Sequence, residues 1–312
     1  MQVTRGIPEH AKQPSVLTIG NFDGVHRGHQ ALLRQLVERA RSVGAPATVL
    51  TFEPHPREYF APAHAPARLA SLREKLMLLA ANGVESVHIA RFNAHFASLS
   101  AERFVDDMLV RGLGVRHVII GDDFRFGAGR RGDFAFLQRA ASARRFDVET
   151  MDTIELGDSR VSSSAVREAL AAGDLALATH YLGRPYSIAG RVSSGQRLGR
   201  TLGFPTANIM MKHRKPPLSG VFAISVEGLD AGLIEGVANV GVRPTVGAAP
   251  RPILETHVFD WSGDCYGAHL RIHFMHKLRD EMRFESIEAL SSQIGTDIQH
   301  ARDWFAINPI ED

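Results

Sequence analysis

A single cysteine, Cys265, stands in 312 residues. That scarcity excludes an intramolecular disulfide and a thiolate zinc site, which needs several sulfurs, and it fits a reducing cytoplasm. An excess of charge of one sign is missing too: 36 lysines and arginines face 34 aspartates and glutamates. A surface that neutralises many phosphates shows a basic excess or stripe, so composition makes no case for nucleic acid as a partner. No apolar run approaches the ~20 residues that span a bilayer. The polar opening, Met1 to Pro14, lacks the apolar core of a signal peptide. A cytoplasmic protein with neither a nucleic-acid nor a membrane partner is therefore expected.

What is there is the profile of a soluble globular chain, 44% hydrophobic and 22% charged, long enough for two domains with separate cores. From Ser15 to about Gly183, short apolar runs alternate with helical periods. Ser15–Gly20, Ala47–Phe52, Val84–Phe92, Val115–Gly121 and Phe146–Met151 read as buried strands. Helices are expected at His29–Val43, Leu72–Ala81, Ala101–Arg111, Phe134–Arg145, Ala165–Ala172 and Leu175–Leu182. Strand–helix alternation of this kind implies a parallel sheet covered on both faces. After Gly183 the pattern changes to strands separated by Gly, Pro and Asp turns, the mark of a small antiparallel barrel or sandwich. One amphipathic helix closes the chain, with Ile287, Leu290, Ile294, Ile298, Ala301 and Phe305 expected in the core. The fold class expected is α/β: a Rossmann-like domain over residues 1–183, then a β-barrel domain with a C-terminal helix over 184–312.

The strongest motif is Gly20-Asn21-Phe22-Asp23-Gly24-Val25-His26-Arg27-Gly28-His29, directly after a strand and running into a helix. Gly20 and Gly24 allow a tight turn and close approach to phosphates, and the helix N-terminus offers free N–H groups to an anion. His26 and His29 at that end can both donate to a triphosphate as pyrophosphate leaves. A metalloprotease zinc site would need histidines four apart with a glutamate beside the first, and neither condition holds. The Lys-Ser/Thr ending of a Walker A loop is also absent. The run is instead the HxGH signature of nucleotidyltransferases, which transfer a nucleotidyl group by attack on the α-phosphate.

Three further segments belong to the same expectation. Thr51-Phe52-Glu53-Pro54-His55-Pro56 and Gly121-Asp122-Asp123-Phe124-Arg125-Phe126-Gly127 each follow a strand, on the edge where parallel sheets bind ligands. Arg160, Ser163, Ser164 and Arg167, in the run 160–167, supply hydroxyls and guanidinium groups at a helix start, an anion site or an ordinary serine cap. In the second half, residues 195–208 are dense in glycine and basic residues. Gly195, Gly199 and Arg200 fit a flexible loop over phosphates. Thr206 and Asn208 alternate along an extended segment and can share a magnesium ion with ATP oxygens. Glu255 lies in a strand between apolar neighbours, as a solvent-facing carboxylate or as a general base.

Taken together these motifs resemble the bacterial bifunctional riboflavin kinase/FAD synthetase family, over about residues 15 to 308. GNFDGVHRGH, TFEPHP, GDDFRFG and SSSAVR are similar to its adenylyltransferase motifs. GRTLGFPTAN, GVANVGVRPT, LETHVFD and LRDEMRF are similar to its kinase motifs. The resemblance implies conversion of riboflavin to FMN and of FMN to FAD, with ATP and Mg²⁺. It implies that His26 and His29 contact ATP phosphates, with Asp123, Arg160, Ser163, Ser164 and Arg167 at the same nucleotide. It further implies Thr206 and Asn208 as Mg²⁺ ligands, Glu255 as the kinase base, and Arg279 near the flavin. Position 123 is often Asn in that family and position 164 often Thr, so Asp123 adds a negative charge near anionic substrates while Ser164 keeps the hydroxyl. A nucleotidyltransferase for another acceptor, such as a pantetheine phosphate, and a non-enzymatic nucleotide sensor are the competing readings. A class I aminoacyl-tRNA synthetase shares HxGH, but no KMSKS occurs here.

Overall fold

A computed structural model describes residues 1–6, 8–151, 155–156, 159–193, 203–211, 215–229, 232–245 and 248–310. By contacts within the chain it divides into two compact units, Met1–Pro66 with Leu72–Ser162, and Ala67–Ser71 with Ser163–Asp312.

The first unit is built on a six-stranded parallel sheet of β1 (Gln2–Arg5), β2 (Ser15–Ile19), β3 (Ala47–Glu53), β4 (Ser86–Arg91), β5 (Val115–Gly121) and β6 (Asp147–Met151). Their order across the sheet is β1-β4-β3-β2-β5-β6. Every residue of β2 is buried, which suits a central strand covered on both faces. Its side chains alternate between two cores. Val16 packs with Leu33, Leu36 and Ala40 of α1 (Arg27–Val43), and Leu17 and Ile19 pack with Val105, Met108 and Leu109 on the opposite face. The helices α2 (Leu72–Ala81) and α3 (Phe134–Arg144) complete the layers. Because β3 and β5 flank β2 on opposite sides, the order reverses at β2, and loops after β2 and β5 open a crevice at their carboxyl ends.

Two local features depart from expectation. Strand β1 pairs in parallel with β4, although residues 1–14 carry no strand signal. All four of its residues are exposed, and at a sheet edge the backbone ladder forms without an apolar face. The helix expected over Ala101–Arg111 is α-helical only at Ala101–Arg103 and continues as a π-helix, Phe104–Gly112. Its last turn is closed by Leu113 N–H donating to Met108 O at 2.9 Å.

The second unit holds α4 (Ser163–Ala172) and α5 (Leu175–Leu182), then a closed barrel. The barrel strands are β7 (Ser187–Ser193), β8 (Ala207–Ile209), β9 (Gly220–Leu229), β10 (Gly232–Thr245), β11 (Ala248–Val258) and β12 (His269–Arg279). Around the barrel the order is β8-β11-β10-β9-β12-β7, and every pair is antiparallel. Phe222, Ile224, Leu254, Thr256, Leu270, Ile272 and Phe274 are buried. The closing helix α6 (Ile287–Ile307) lays Ala301 and Phe305 on Val221, Ala223 and Val237. Its first turn does not reach that surface. Ile287, expected in the core, is 59% exposed, and Leu290 and Ile294 are half-buried. An apolar period fixes which helix face turns inward but not how far the underlying surface extends.

Candidate active sites

In the first unit, the chain leaves β2 through a loop held by Gly20 N–H donating to Leu50 O at 3.1 Å. Phe22 and Val25 have φ of 48° and 43°, left-handed values that are uncommon for any side chain and strained for a β-branched one. Gly24 takes φ 80° without that strain. This turn buries Phe22, Asp23, Val25 and His26 and delivers His26 to the N-cap of α1. There its Nδ1 accepts from His29 N–H at 3.3 Å. An accepting Nδ1 fixes the proton of the neutral ring on Nε2.

The two imidazoles stack, with centroids 3.7 Å apart and planes at 19°. Gly28 leaves room for the stack: a Cβ there would stand 3.2 Å from the His26 ring, a tight contact. Burial first, then His26, then Lys75, hold the His29 pKa well below its ordinary 6.5. Stacked rings of this kind do not both carry charge, so at neutral pH His29 is a neutral donor. Its Nδ1 is buried with no hydrogen-bond partner, a local cost of about 1–3 kcal/mol.

A cleft of about 940 Å³ opens over this pair, within the usual range for small-molecule sites. The three loops expected at one sheet edge line it together: residues of 20–29, of 52–57 and of 121–127. Arg160 also lines the cleft and pairs with Asp123 at 2.7 Å, so the extra negative charge of Asp123 is neutralised locally. Two features escaped the motif reading. Arg57 and Arg130 join the motif residues Arg125 and Arg160 to concentrate positive charge here in a chain that is balanced overall. Phe60, Phe92, Phe96, Phe104, Phe124 and Phe126 form an aromatic wall. They come from separate elements and carry no common spacing, although Phe124 and Phe126 lie inside a recognised motif. Ser163, Ser164 and Arg167 lie at the start of α4 in the second unit, where Arg167 Nε donates to Ala67 O at 2.6 Å.

The barrel carries the other candidates on its outer face. Ala207 and Ile209 are buried while Thr206 and Asn208 are half-buried, the alternation of a strand with one wet face. Asn208 pairs with Glu255 on β11, and Glu255 pairs with Asn239 on β10. Directly opposed residues bring their Cβ atoms to about 4.5–5.5 Å, so the carboxylate of Glu255 stands between two amides. Asn239 was not singled out by sequence reasoning, although it lies in the GVANVGVRPT run. Thr206 also lines a cavity of about 610 Å³ closed by Trp261–Tyr266.

Arg279 is tied within the fold. Its Nε and a terminal nitrogen donate to both oxygens of the buried Asp297 at 2.8 and 2.7 Å, and the other terminal nitrogen donates to Asp280 O at 2.9 Å. Glu281, also missed, reaches its carboxylate over Gly241, and desolvation there pushes its carboxyl pKa up. Gly195, Gly199 and Arg200 fall outside the described residues. Among the described residues no group of three or more His, Cys, Asp or Glu can hold a metal. The oxygen donors of Thr206 and Asn208 fit a hard cation such as Mg²⁺ that relies on substrate phosphates for the rest of its shell.

A parallel sheet with a histidine pair at a helix N-terminus defines a nucleotidyltransferase-type unit, and the closed barrel with its amide–carboxylate row defines a second, unlike one. A family model described as FAD synthetase matches residues 8–165, and one described as riboflavin kinase matches residues 182–305. A protein of Pseudomonas fluorescens named bifunctional riboflavin kinase/FMN adenylyltransferase is 52% identical over 306 residues, 97% of each chain. One of the same name from Escherichia coli K12 is 49% identical over 310 residues, 98% of this chain and 99% of its own. The chain belongs to the bifunctional riboflavin kinase/FMN adenylyltransferase family. A crystal structure described as a macrolide-efflux protein from Streptococcus pneumoniae covers 97% of this chain and 100% of its own, with TM-score 0.84 and 27% identity. That likeness contributes the fold. Among the described residues no helix is long and apolar enough to cross a membrane.

Proposed function

We propose that the chain makes FMN and FAD from riboflavin in two ATP-dependent steps, with adenylyl transfer in residues 1–183 and phosphorylation in residues 184–312. One observation carries this reading: a single chain holds two unlike phosphate-directed constellations, the histidine pair on the parallel sheet of the first unit and the Thr206–Asn208–Glu255 set on the barrel of the second. Both reactions are placed in the cytoplasm, where a chain with one cysteine is at home.

In the adenylyl site, Phe60, Phe92 and Phe126 offer faces and edges for the flavin ring. An FMN phosphate oxygen attacks the α-phosphorus of ATP, and the bond to the leaving pyrophosphate breaks. The N–H groups of His26 and His29 donate to the charge that develops, and Asp123 orients Arg160 toward the nucleotide. Gly20, Phe22, Asp23 and Gly24 shape the turn.

In the kinase site, the ribityl 5′-hydroxyl attacks the γ-phosphorus of ATP and ADP leaves. Glu255 accepts the hydroxyl proton, and Asn208 and Asn239 hold its carboxylate in place. Thr206 and Asn208 are the residues that would hold Mg²⁺, whose chemistry when bound is to neutralise charge on the transferring phosphate. Arg279, held by Asp297 and Asp280, serves the flavin end by anchoring the segment that follows it.

Incubation of the full chain with riboflavin, ATP and Mg²⁺, with products separated by chromatography, tests the reading. FMN should appear first and FAD after it, with one ADP and one pyrophosphate released per FAD. Riboflavin left unconsumed under both oxidising and reducing conditions would remove the kinase half.

A further inference from the structure

We propose that His257 is a positioning residue of the kinase site, tying the backbone just before Thr206 to β11 and so setting Thr206 and Asn208 against Glu255. This rests on the kinase reading of the barrel. His257 Nδ1 lies 2.9 Å from the carbonyl oxygen of Pro205. A carbonyl only accepts, so Nδ1 carries the proton and donates. Neutral and protonated rings both supply that donor, so the tie does not depend on the charge of His257. The ring is packed from two sides. Phe204 meets it edge-on at 6.1 Å and 87°, and Phe259 at 5.9 Å and 63°. Phe259 is 3% exposed and belongs to the cluster beneath α6. It is held again by its N–H donating to Glu235 O at 2.9 Å. The imidazole therefore connects a fixed part of the barrel to the entry of β8.

That entry needs such a tie. Strand β8 is three residues long, and Pro205, two positions before it, has no N–H to give to a ladder. Thr206 and His257 flank the paired residues Ala207 and Thr256, one on each strand, and the next pair is Asn208 with Glu255. Movement at Pro205 is thus passed directly to Thr206. A misplacement of ~1 Å in groups that position a reacting phosphate costs up to about 10²-fold.

The test is steady-state riboflavin phosphorylation by the full chain carrying His257→Ala or His257→Asn, with ATP and riboflavin varied in turn. The asparagine amide N–H can stand where Nδ1–H stands. His257→Ala should raise the KM for ATP about tenfold or more, with the KM for riboflavin within about twofold of wild type. His257→Asn should recover most of the loss, and FMN adenylylation by both variants should match wild type. An unchanged ATP dependence in His257→Ala overturns the proposal, as does an asparagine variant no better than alanine. So does an equal rise in both KM values, which marks general loosening of the barrel. A wild-type chain with no kinase activity would sink the underlying reading as well, a failure distinct from an active wild type with an unimpaired His257→Ala.

Discussion

His29 takes its character from three neighbours: the fold that buries it, the His26 ring stacked on it, and the nearby Lys75. Its folded-state pKa lies below the 6.5 of an unfolded chain. The unfolded chain therefore binds a proton that the folded chain refuses, and stability falls as the pH drops below about 6.5. Thermal midpoints of wild type and His29→Asn between about pH 8 and pH 5 should diverge on the acid side, with wild type losing more. Parallel curves would show that His29 carries no such linkage. For chemistry, His29→Ala should slow adenylyl transfer by ~10²–10³ while FMN formation continues, because one donor to a developing oxyanion is gone. Glu255 gives the complementary case in the barrel. Glu255→Gln keeps size and the capacity to hydrogen-bond but removes basicity. Riboflavin phosphorylation should fall by about 10²–10⁴ with binding of both substrates little changed and adenylylation intact. A wild-type kinase rate over a range of pH would leave Glu255 as a barrel residue only.

Among the elements, α6 depends on one ion pair more than its apolar stripe indicates. Only Ala301 and Phe305 of the expected core positions are buried, and Asp297 is buried beside them at 3% exposure. Asp297 takes both contacts from Arg279 on β12 and a third from Gln293 at 2.9 Å. Removing one partner of a buried pair leaves the other charge uncompensated, at a cost of about 3–5 kcal/mol. Asp297→Ala should therefore lower the stability of the barrel unit by that order in denaturant unfolding, with the first unit's transition unmoved. A loss below about 1 kcal/mol, the range of exposed pairs, would mean that water reaches the guanidinium. Spacing could not reveal this contact, since an aspartate eighteen residues from its arginine has no periodic relation to it.

For the whole molecule, the question is where two activities separate. The change of pattern near Gly183 sets the expected boundary, while contacts within the chain place α4 and α5 with the barrel, and the family models leave residues 166–181 unmatched between them. A fragment ending at Leu182 should adenylylate supplied FMN, and one starting at Gly183 should phosphorylate riboflavin, since each half owns a core of domain size. A companion fragment starting at Ser163 resolves the assignment of α4 and α5. If it is folded and active while the Gly183 fragment is neither, those helices belong to the barrel's stability. A folded Gly183 fragment without kinase activity would mean that its site borrows residues from the first half.

The sequence by itself determined the α/β unit and the barrel, because burial imposes a period of 2 or 3.6 on every long strand and helix. It also marked the loops that line the cleft of the first unit, because the ends of parallel strands are where an open sheet leaves a crevice. Only tertiary structure decided which residues complete those sites. The aromatic wall, the neutral state of His29, the Asn239–Glu255–Asn208 row and the Arg279–Asp297 pair each join residues distant in the chain. Their energies depend on distance and burial in space, and neither quantity is a function of position along the chain.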